Sequence, residues 1–158
     1  MKKKLQWEIE IEVNLPLEKV WDDIDDLTLI TSYHPNVRTV EYISGQTKRA
    51  AGVSYKCIVP EGRKGWCIEQ VVEHIPYEKT TVEFPEDSWG MNRKFSDFAT
   101  ELQVQVIESN RTLVQLRAFY IPKGFLMNLS NILFVRSMMR KRAMLTLIGF
   151  KKVVECQS

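Results

Sequence analysis

Strict alternation of apolar and acidic residues opens the chain and predicts a half-buried strand. In residues 5–13, LQWEIEIEV, the odd positions are apolar and three glutamates occupy even positions. A period of two places successive side chains on opposite faces of a sheet. The period then changes, because Pro16 suits the first turn of a helix and an apolar stripe around Trp21 follows it. We therefore predict one short helix after the strand and a second that ends before Pro35.

Short runs rich in β-branched and aromatic residues alternate with turn residues from Val37 onward. The predicted strands are VRTVEYI, VSYKCIV, WCIEQVVEHI, TTVEF, FATELQVQVIE and LVQLRAFYI. The connections between them are SGQTKRAAG, VPEGRKGW, IPYEK and SNR. Consecutive hairpins favour an antiparallel sheet over parallel βαβ units. The chain therefore has seven predicted strands.

A helical period begins after Gly124 and continues to about Glu155, a length at which the helix could be broken near its start. On a straight helix, Arg136 and Arg140 fall in the middle of an apolar stripe. The stripe comprises Leu129, Ile132, Leu133, Met139, Ala143, Leu147 and Phe150. Three interpretations are open: the guanidiniums reach solvent, at least one enters a cavity to receive an oxygen-rich group, or both meet anionic lipid headgroups.

This order of elements predicts an α+β fold. A curved antiparallel β-sheet of about seven strands would wrap around a long C-terminal helix, with two short helices between strands 1 and 2. A length of 158 residues, 44% of them hydrophobic, suffices for one well-packed core. We therefore expect a single domain over residues 1–158.

Charge and cysteine content narrow the range of partners. A net charge of +2 gives no general reason to expect nucleic-acid binding. The basic runs at residues 2–4 and 140–142 are typical of solvated ends or faces. Cys57, Cys67 and Cys156 lack the spacing of a disulfide framework. With no secretion signal and no charge-free apolar span, we expect a cytoplasmic protein without a transmembrane segment, for which transient membrane contact stays possible.

Two stretches, together with the order of elements, resemble the START-like helix-grip (SRPBCC, birch-pollen-allergen-like) superfamily and, within it, the polyketide cyclase/dehydrase branch. VNLPLEKVWDDIDDLTLITSYHPNV is similar to the family's opening, in which a proline starts a helix containing valine-tryptophan and a second proline precedes strand 2. MLTLIGFKKVVE resembles its closing leucine-rich helix. The resemblance implies a cavity between the sheet and the terminal helix that holds a sterol, lipid, hormone, quinone or polyketide. PEDSWGMNRKFSD departs from the pattern and would border the cavity mouth.

Strand parity supplies candidate residues for this cavity when the more apolar face of each strand is taken as inward. From the helices and the sheet, the predicted ligand-binding residues are Trp21, Tyr33, Tyr55, Trp66, Ile68, Gln70, Phe98, Thr100, Leu102, Leu116 and Tyr120. From the terminal helix they are Leu129, Leu133, Arg136, Met139, Arg140 and Ala143. The opposite faces, including Glu69, are predicted to face solvent. Gln70, Tyr120 or Arg136 would orient a polar head group.

The candidates for catalysis are few. His34, beside Tyr33 at the helix-loop entrance, could transfer protons near pH 7, and Tyr120 or Arg136 could stabilise an enolate. A histidine next to a proline is also a common capping or surface residue. The histidines have no cysteine or carboxylate at ligand spacing, so we predict no metal and no cofactor. The chain has no G-x-S-x-G, P-loop, GxGxxG or HExxH motif, which removes the usual support for hydrolase, NTPase, dehydrogenase and metalloprotease activity.

The leading hypothesis is therefore binding, and potentially transport, of a hydrophobic small molecule or lipid in the internal cavity. One alternative is an enzyme of the polyketide cyclase, aromatase or dehydratase type that uses the same cavity. A second is a peripheral membrane or partner-binding protein that uses the face of residues 125–139. The sequence leaves the identity of the ligand and the oligomeric state open.

Overall fold

The computed structural model describes residues 4–60 and 65–157. In this part of the chain, seven strands form one antiparallel sheet in the order β1-β7-β6-β5-β4-β3-β2. The strands are β1 (Leu5–Val13), β2 (Thr39–Glu41), β3 (Ser54–Ile58), β4 (Trp66–Ile75), β5 (Lys79–Asp87), β6 (Phe95–Glu108) and β7 (Arg111–Pro122). Consecutive strands from β2 to β7 pair antiparallel, and β1 pairs with β7. The predicted α+β helix-grip fold is confirmed.

The helices occupy the predicted places except for one, at Met91–Lys94, which lies in the segment PEDSWGMNRKFSD, where the sequence predicts no helix. They are α1 (Leu17–Asp25), a 3₁₀ turn (Leu27–Leu29), α2 (Ile30–Tyr33), α3 (Met91–Lys94), α4 (Gly124–Ser130), a π-turn (Asn131–Val135) and α5 (Arg136–Cys156). We call residues 124–156 the terminal helix. No described helix is long and apolar enough to cross a membrane. The predicted connection VPEGRKGW includes residues 61–64, and the N-terminal basic run includes residues 2 and 3; these positions lie outside the described residues.

Two groups of buried side chains hold the terminal helix and α2 against the sheet. In the first, Leu147 and Phe150 of the terminal helix pack with Val114 and other residues of β1, β6 and β7. The second group joins the short helices to β3, β4 and β5 and includes Leu27, Tyr55 and Val71. Gly149 lets the terminal helix approach the Tyr33 carbonyl oxygen, where a side-chain carbon would collide. The Tyr33 ring consequently meets the Phe150 ring edge-on, with centroids 5.3 Å apart.

The π-turn changes which residues of the terminal helix face the sheet. Inward positions recur every four residues at Met127, Asn131, Val135, Met139 and Ala143. A straight α-helix overshoots by about 40° in four residues, so it could not keep this face inward for so long. The π-turn accommodates one extra residue and corrects the drift. Of the stripe predicted from the sequence, only Met139, Ala143, Leu147 and Phe150, all after the π-turn, face inward.

Four predicted cavity residues of the terminal helix consequently lie elsewhere. Leu129 and Leu133 precede or occupy the π-turn and are exposed, by 43% and 57%. Arg136 and Arg140, on the same stripe, are also exposed. Neither arginine lines the cavity, so the structure does not support the interpretation in which one of them enters it; their exposure agrees with contact to solvent or to anionic lipid headgroups.

The sheet also corrects one predicted strand face. On β4, Cys67 pairs with Cys57 and Glu69 pairs with Tyr55, and residues directly opposite in an antiparallel pair share a face. Cys67 and Glu69 therefore point inward with the buried residues of β3. The predicted cavity residues Trp66, Ile68 and Gln70 lie on the outer face, where the Lys56 ammonium is 4.5 Å from the Trp66 ring centroid. The apolar-face criterion failed because the inward face of β4 carries a carboxylate.

Candidate functional site

A cavity of about 1190 Å³ lies between the inner face of the sheet and the terminal helix. Pockets for drug-sized ligands measure roughly 300–1,000 Å³, so this space suits a large or elongated molecule. Its walls are mostly apolar. The β5, β6 and β7 side chains on the wall are Thr80, Val82, Phe84, Phe95, Phe98, Thr100, Leu102 and Leu116. The facing side chains of the terminal helix are Met127, Val135, Met138, Met139, Arg142, Ala143, Thr146, Leu147 and Phe150.

Several sequence-predicted residues line this cavity. They are Tyr33, His34, Phe98, Thr100, Leu102, Leu116, Met139 and Ala143. The parity of β6 and β7 places four of them, and the α5 segment after the π-turn places two more. Contact of these residues with a ligand remains a prediction.

Three predicted residues are buried in the protein but do not line the cavity. Trp21 packs against His74 and Tyr77 beside α1, with ring centroids 5.4 Å and 6.2 Å away. Tyr55 lies under the cavity wall, where its hydroxyl bonds to residues that do line it. Tyr120 is fully buried and supports the cavity from behind, because its ring stacks on that of Phe98 at 5.0 Å.

Tyr120 serves to fix the π-turn. Its hydroxyl donates to Asn131 Oδ1 at 2.7 Å, and Asn131 Nδ2 donates to Gln6 Oε1 at 3.1 Å. Gln6 Nε2 in turn donates to the Tyr120 carbonyl oxygen at 2.7 Å. Burial raises the pKa of Tyr120 to about 12, although nearby Arg136 opposes the shift. The Tyr120 hydroxyl is therefore occupied by Asn131 and does not line the cavity, which gives no support to the prediction that it stabilises an enolate.

A charged relay forms the polar end of the cavity. Arg49, in the connection between β2 and β3, donates from Nη1 to the Ile24 carbonyl oxygen. Its Nη2 donates to the Tyr55 hydroxyl at 3.3 Å, and that hydroxyl donates to Glu69 Oε2 at 2.7 Å. Both Arg49 and Glu69 line the cavity. The cation and the carboxylate are thus coupled through one buried phenol.

Burial keeps the neighbouring acids neutral. It raises the pKa of the Tyr33 phenol, an effect that the Arg49 guanidinium partly offsets. The pKa of Cys57 is raised by its thiol neighbour Cys67, by burial and by Glu69. The Cys57 thiol donates a hydrogen bond to Glu69 Oε1 at 3.6 Å. Tyr33 and Cys57 therefore present protonated donors near the relay.

His34 lines the cavity next to Tyr33. Its Nδ1 accepts a hydrogen bond from the Asn36 backbone N–H at 3.1 Å, so the proton of the neutral ring is on Nε2. Burial lowers the pKa of His34, and the Glu69 carboxylate opposes this only in part. The ring is therefore a neutral Nε2–H donor at pH 7.

We expect His34 to make the protein less stable in mild acid. Its pKa is lower in the folded than in the unfolded chain, so the unfolded chain binds more protons once the pH falls below about 6.5. The free energy of unfolding then decreases by up to about 1.4 kcal/mol per pH unit from this group. Urea unfolding of wild type and His34→Gln, compared between about pH 7 and pH 5, measures the contribution of His34 to this loss of stability. Parallel pH dependence of the two proteins would contradict the assignment.

Exposed residues that also line the cavity define its rim. They are Pro35, Trp89, Lys94, Met138 and Arg142. Trp89 belongs to the segment PEDSWGMNRKFSD, as predicted for the cavity mouth, and its indole packs directly on Gly65. Asp87 holds this segment by accepting from the backbone N–H groups of Trp89 and Met91 at 2.7 Å and 3.0 Å.

No arrangement of three or more His, Cys, Asp and Glu side chains suited to a metal ion occurs within residues 4–60 and 65–157. Sequence reasoning missed Arg49, Glu69 and Arg142 as cavity residues. Arg49 lies in an irregular connection, where no alternation of apolar and polar residues indicates which side chains face inward. Glu69 could have been found only from the register of β3 with β4. Arg142 could have been placed at the cavity only with knowledge of the π-turn, which sets the side of α5 that faces the sheet.

Residues 4–155 match the family described as polyketide cyclase / dehydrase and lipid transport. No curated protein matches the chain significantly. A START superfamily protein from Mycobacterium smegmatis is similar in structure, with a TM-score of 0.70, 13% identity, and coverage of 96% of this chain and 98% of that one.

Two solved enzyme structures are similar as well. The ZhuI aromatase/cyclase from a Streptomyces species has a TM-score of 0.71 and 12% identity, covering 94% of this chain and 92% of its own. Norcoclaurine synthase from Thalictrum flavum, in complex with dopamine and hydroxybenzaldehyde, has a TM-score of 0.76 and 12% identity, covering 99% and 88%. At these identities, the similarity shows a shared fold.

Proposed function

Because the chain belongs to the polyketide cyclase / dehydrase and lipid transport family, we propose that its cavity binds a hydrophobic small molecule or lipid. The observation that carries this proposal is a large, mostly apolar cavity that ends in the relay of Arg49, Tyr55 and Glu69. Moving apolar ligand surface out of water stabilises the complex by about 25 cal/mol per Å², before the cost of ordering the ligand. The apolar wall supplies affinity, and the relay supplies orientation.

The relay favours a neutral head group that contains oxygen. Glu69 already compensates the Arg49 charge through Tyr55, so a ligand anion would enter without an unpaired cation to receive it. Tyr33 and His34 offer neutral donors at the same end of the cavity. A ketone, phenol or alcohol can accept from these donors. We therefore propose an apolar ligand whose carbonyl or hydroxyl group lies near Tyr33, His34 and Glu69.

Native mass spectrometry of the purified protein, followed by organic extraction, tests this proposal. We expect a co-purified apolar molecule with a carbonyl or hydroxyl group, or saturable binding of the uncharged probe Nile red by the protein once stripped of ligand. An empty protein that also fails to bind Nile red would contradict ligand binding in the cavity.

Filling the cavity with a larger side chain should weaken ligand binding without unfolding the protein. Ala143 lines the cavity on the terminal helix, so Ala143→Phe places a ring in the ligand space. We expect Nile red affinity to fall by roughly tenfold or more, the equivalent of about 1.4 kcal/mol. Leu145→Phe is the matched control, because Leu145 is 57% exposed on the same helix. Equal affinities for the two variants, measured by fluorescence titration, would place the probe outside the cavity.

A second candidate function is proton-transfer catalysis of the cyclisation or dehydration type. It is favoured by one observation: Tyr33, His34 and Glu69, which can donate or accept protons, line the same cavity. The extraction experiment distinguishes the candidates. A carrier returns its ligand unchanged after prolonged incubation, whereas an enzyme converts it, and conversion should then depend on His34 and Glu69.

A further inference from the structure

The outer side of the terminal helix carries an apolar surface that the cavity does not use. Six large apolar side chains in ten residues are exposed, and we call them the apolar helix face. They are Phe125, Leu126, Leu129, Ile132, Leu133 and Phe134. Phe125 and Leu126 are each 79% exposed, and Phe134 is 68% exposed. Single exposed apolar residues are ordinary, but a contiguous group of this kind marks an interaction surface.

The charged side chains of the helix near the apolar helix face are all cationic. The chain contains no acidic residue between Glu108 and Glu155. Cationic side chains from the start of the helix to the cavity rim are Lys123, Arg136, Arg140, Lys141 and Arg142. Arg136 and Arg140 follow the apolar helix face along the helix and are exposed, as its members are. The helix thus combines apolar and cationic groups on one exposed side.

A neighbouring segment extends the cationic border. The Lys123 backbone N–H donates to the Lys94 carbonyl oxygen at 2.9 Å, and Lys123 Nζ donates to the Asn92 carbonyl oxygen at 2.6 Å. These bonds place α3, with Arg93 and Lys94, beside the start of the helix. The nearby carboxylate of Asp87 is bound by backbone amides of its own loop. The border around Phe125 therefore carries cations from two elements.

An anionic lipid surface complements this face better than a second copy of the chain does. A two-fold contact through this face would bury cations of both copies, and neither copy has a carboxylate between Glu108 and Glu155 to pair with them. Anionic headgroups pair with the guanidiniums while the adjacent apolar side chains enter the interfacial layer. Charge complementarity thus selects the lipid surface.

We propose that the apolar helix face docks the protein on anionic phospholipid membranes. Phe125 and Leu126 insert at the level of the headgroups, and Arg136 and Arg140 contact lipid phosphates. Met138 and Arg142 of the same helix belong to the cavity rim, so docking brings the rim to the lipid surface. Docking does not require that the cavity hold any particular ligand.

Vesicle flotation tests the proposal directly. Vesicles of phosphatidylcholine mixed with phosphatidylglycerol should carry the protein to the top of the gradient, and vesicles of phosphatidylcholine alone should not. Arg136→Gln/Arg140→Gln should lower partitioning by roughly fivefold per arginine, and added salt should weaken binding by wild type. Phe125→Ser/Leu126→Ser should lower it by roughly tenfold or more.

Two matched variants control for charge and apolarity. Lys152→Gln removes an exposed cation from the same helix, and Ile43→Ser removes a 55% exposed apolar residue from the turn after β2, near the sheet edge opposite β1. Both should bind like wild type, and circular dichroism should be the same for all variants. Absence of flotation with anionic vesicles would overturn the proposal. Equal flotation of the control variants and of the Phe125/Leu126 and Arg136/Arg140 double variants would overturn it as well. A dimer in analytical ultracentrifugation that Phe125→Ser/Leu126→Ser abolishes, without vesicle binding, would assign the face to a second copy instead.

Discussion

Replacing Arg49 with methionine should lower the free energy of unfolding by about 3 kcal/mol and abolish oriented ligand binding. The guanidinium donates to the Ile24 carbonyl oxygen and to Tyr55, so its removal leaves a carbonyl and the Glu69 carboxylate without their cationic partner. Loss of one member of a buried charged network costs more than the network contributes as a whole. Urea unfolding measures the first effect, and titration with the co-purified ligand measures the second.

A double-mutant cycle shows whether the effect passes through the relay. Arg49→Met/Glu69→Gln should be less destabilised than the sum of the single changes by about 1–2 kcal/mol, because neither charge is then left alone. The same cycle in a Tyr55→Phe background should lose much of this coupling, since the phenol joins the two groups. Arg38→Met is the control, because Arg38 is exposed. Strict additivity of Arg49→Met and Glu69→Gln would refute the relay.

The sheet shows what periodicity in the sequence can and cannot predict. On β6 and β7, one face is mainly apolar, so parity correctly placed Thr100, Leu102 and Leu116 on the cavity wall. On β4, the inward face includes Glu69, whose charge is compensated by Arg49 from a distant connection. Only the three-dimensional partner explains why a carboxylate can lie on that face. Residues whose burial depends on such a partner cannot be identified from local pattern.

The polar anchor was misassigned for the same reason. Arg136 and Arg140 attract attention in the sequence because they interrupt an apolar stripe, whereas Arg49 interrupts no pattern at all. The structure reverses their roles: Arg49 lines the cavity and both helix arginines are exposed. The phase of the terminal helix decides this reversal, and the phase is set by the π-turn.

Deleting Leu133 should be nearly neutral, whereas deleting Lys141 should prevent cooperative folding. Leu133 is 57% exposed in the π-turn, and its removal converts that turn to α-helical geometry. Asn131 and Val135 would then be three residues apart, which keeps both on the inward face of an α-helix. We therefore expect a loss of no more than about 1 kcal/mol in urea unfolding, within the range of ordinary single substitutions.

Lys141 is the matched deletion, because it is also exposed but lies in regular α-helix. Its removal turns one side of the helix by about 100° relative to the other, so Met127 and Asn131 cannot face inward together with Leu147 and Phe150. Exposing the buried Leu147 and Phe150 alone would cost about 2–5 kcal/mol each, a large part of the stability of a domain of this size. Deletions of two single exposed residues, about 12 Å apart along the helix axis, would thus have opposite outcomes. If both deletions unfold the protein equally, the fold needs the π-turn itself. The view that the turn only accommodates one extra residue in the helix would then be refuted.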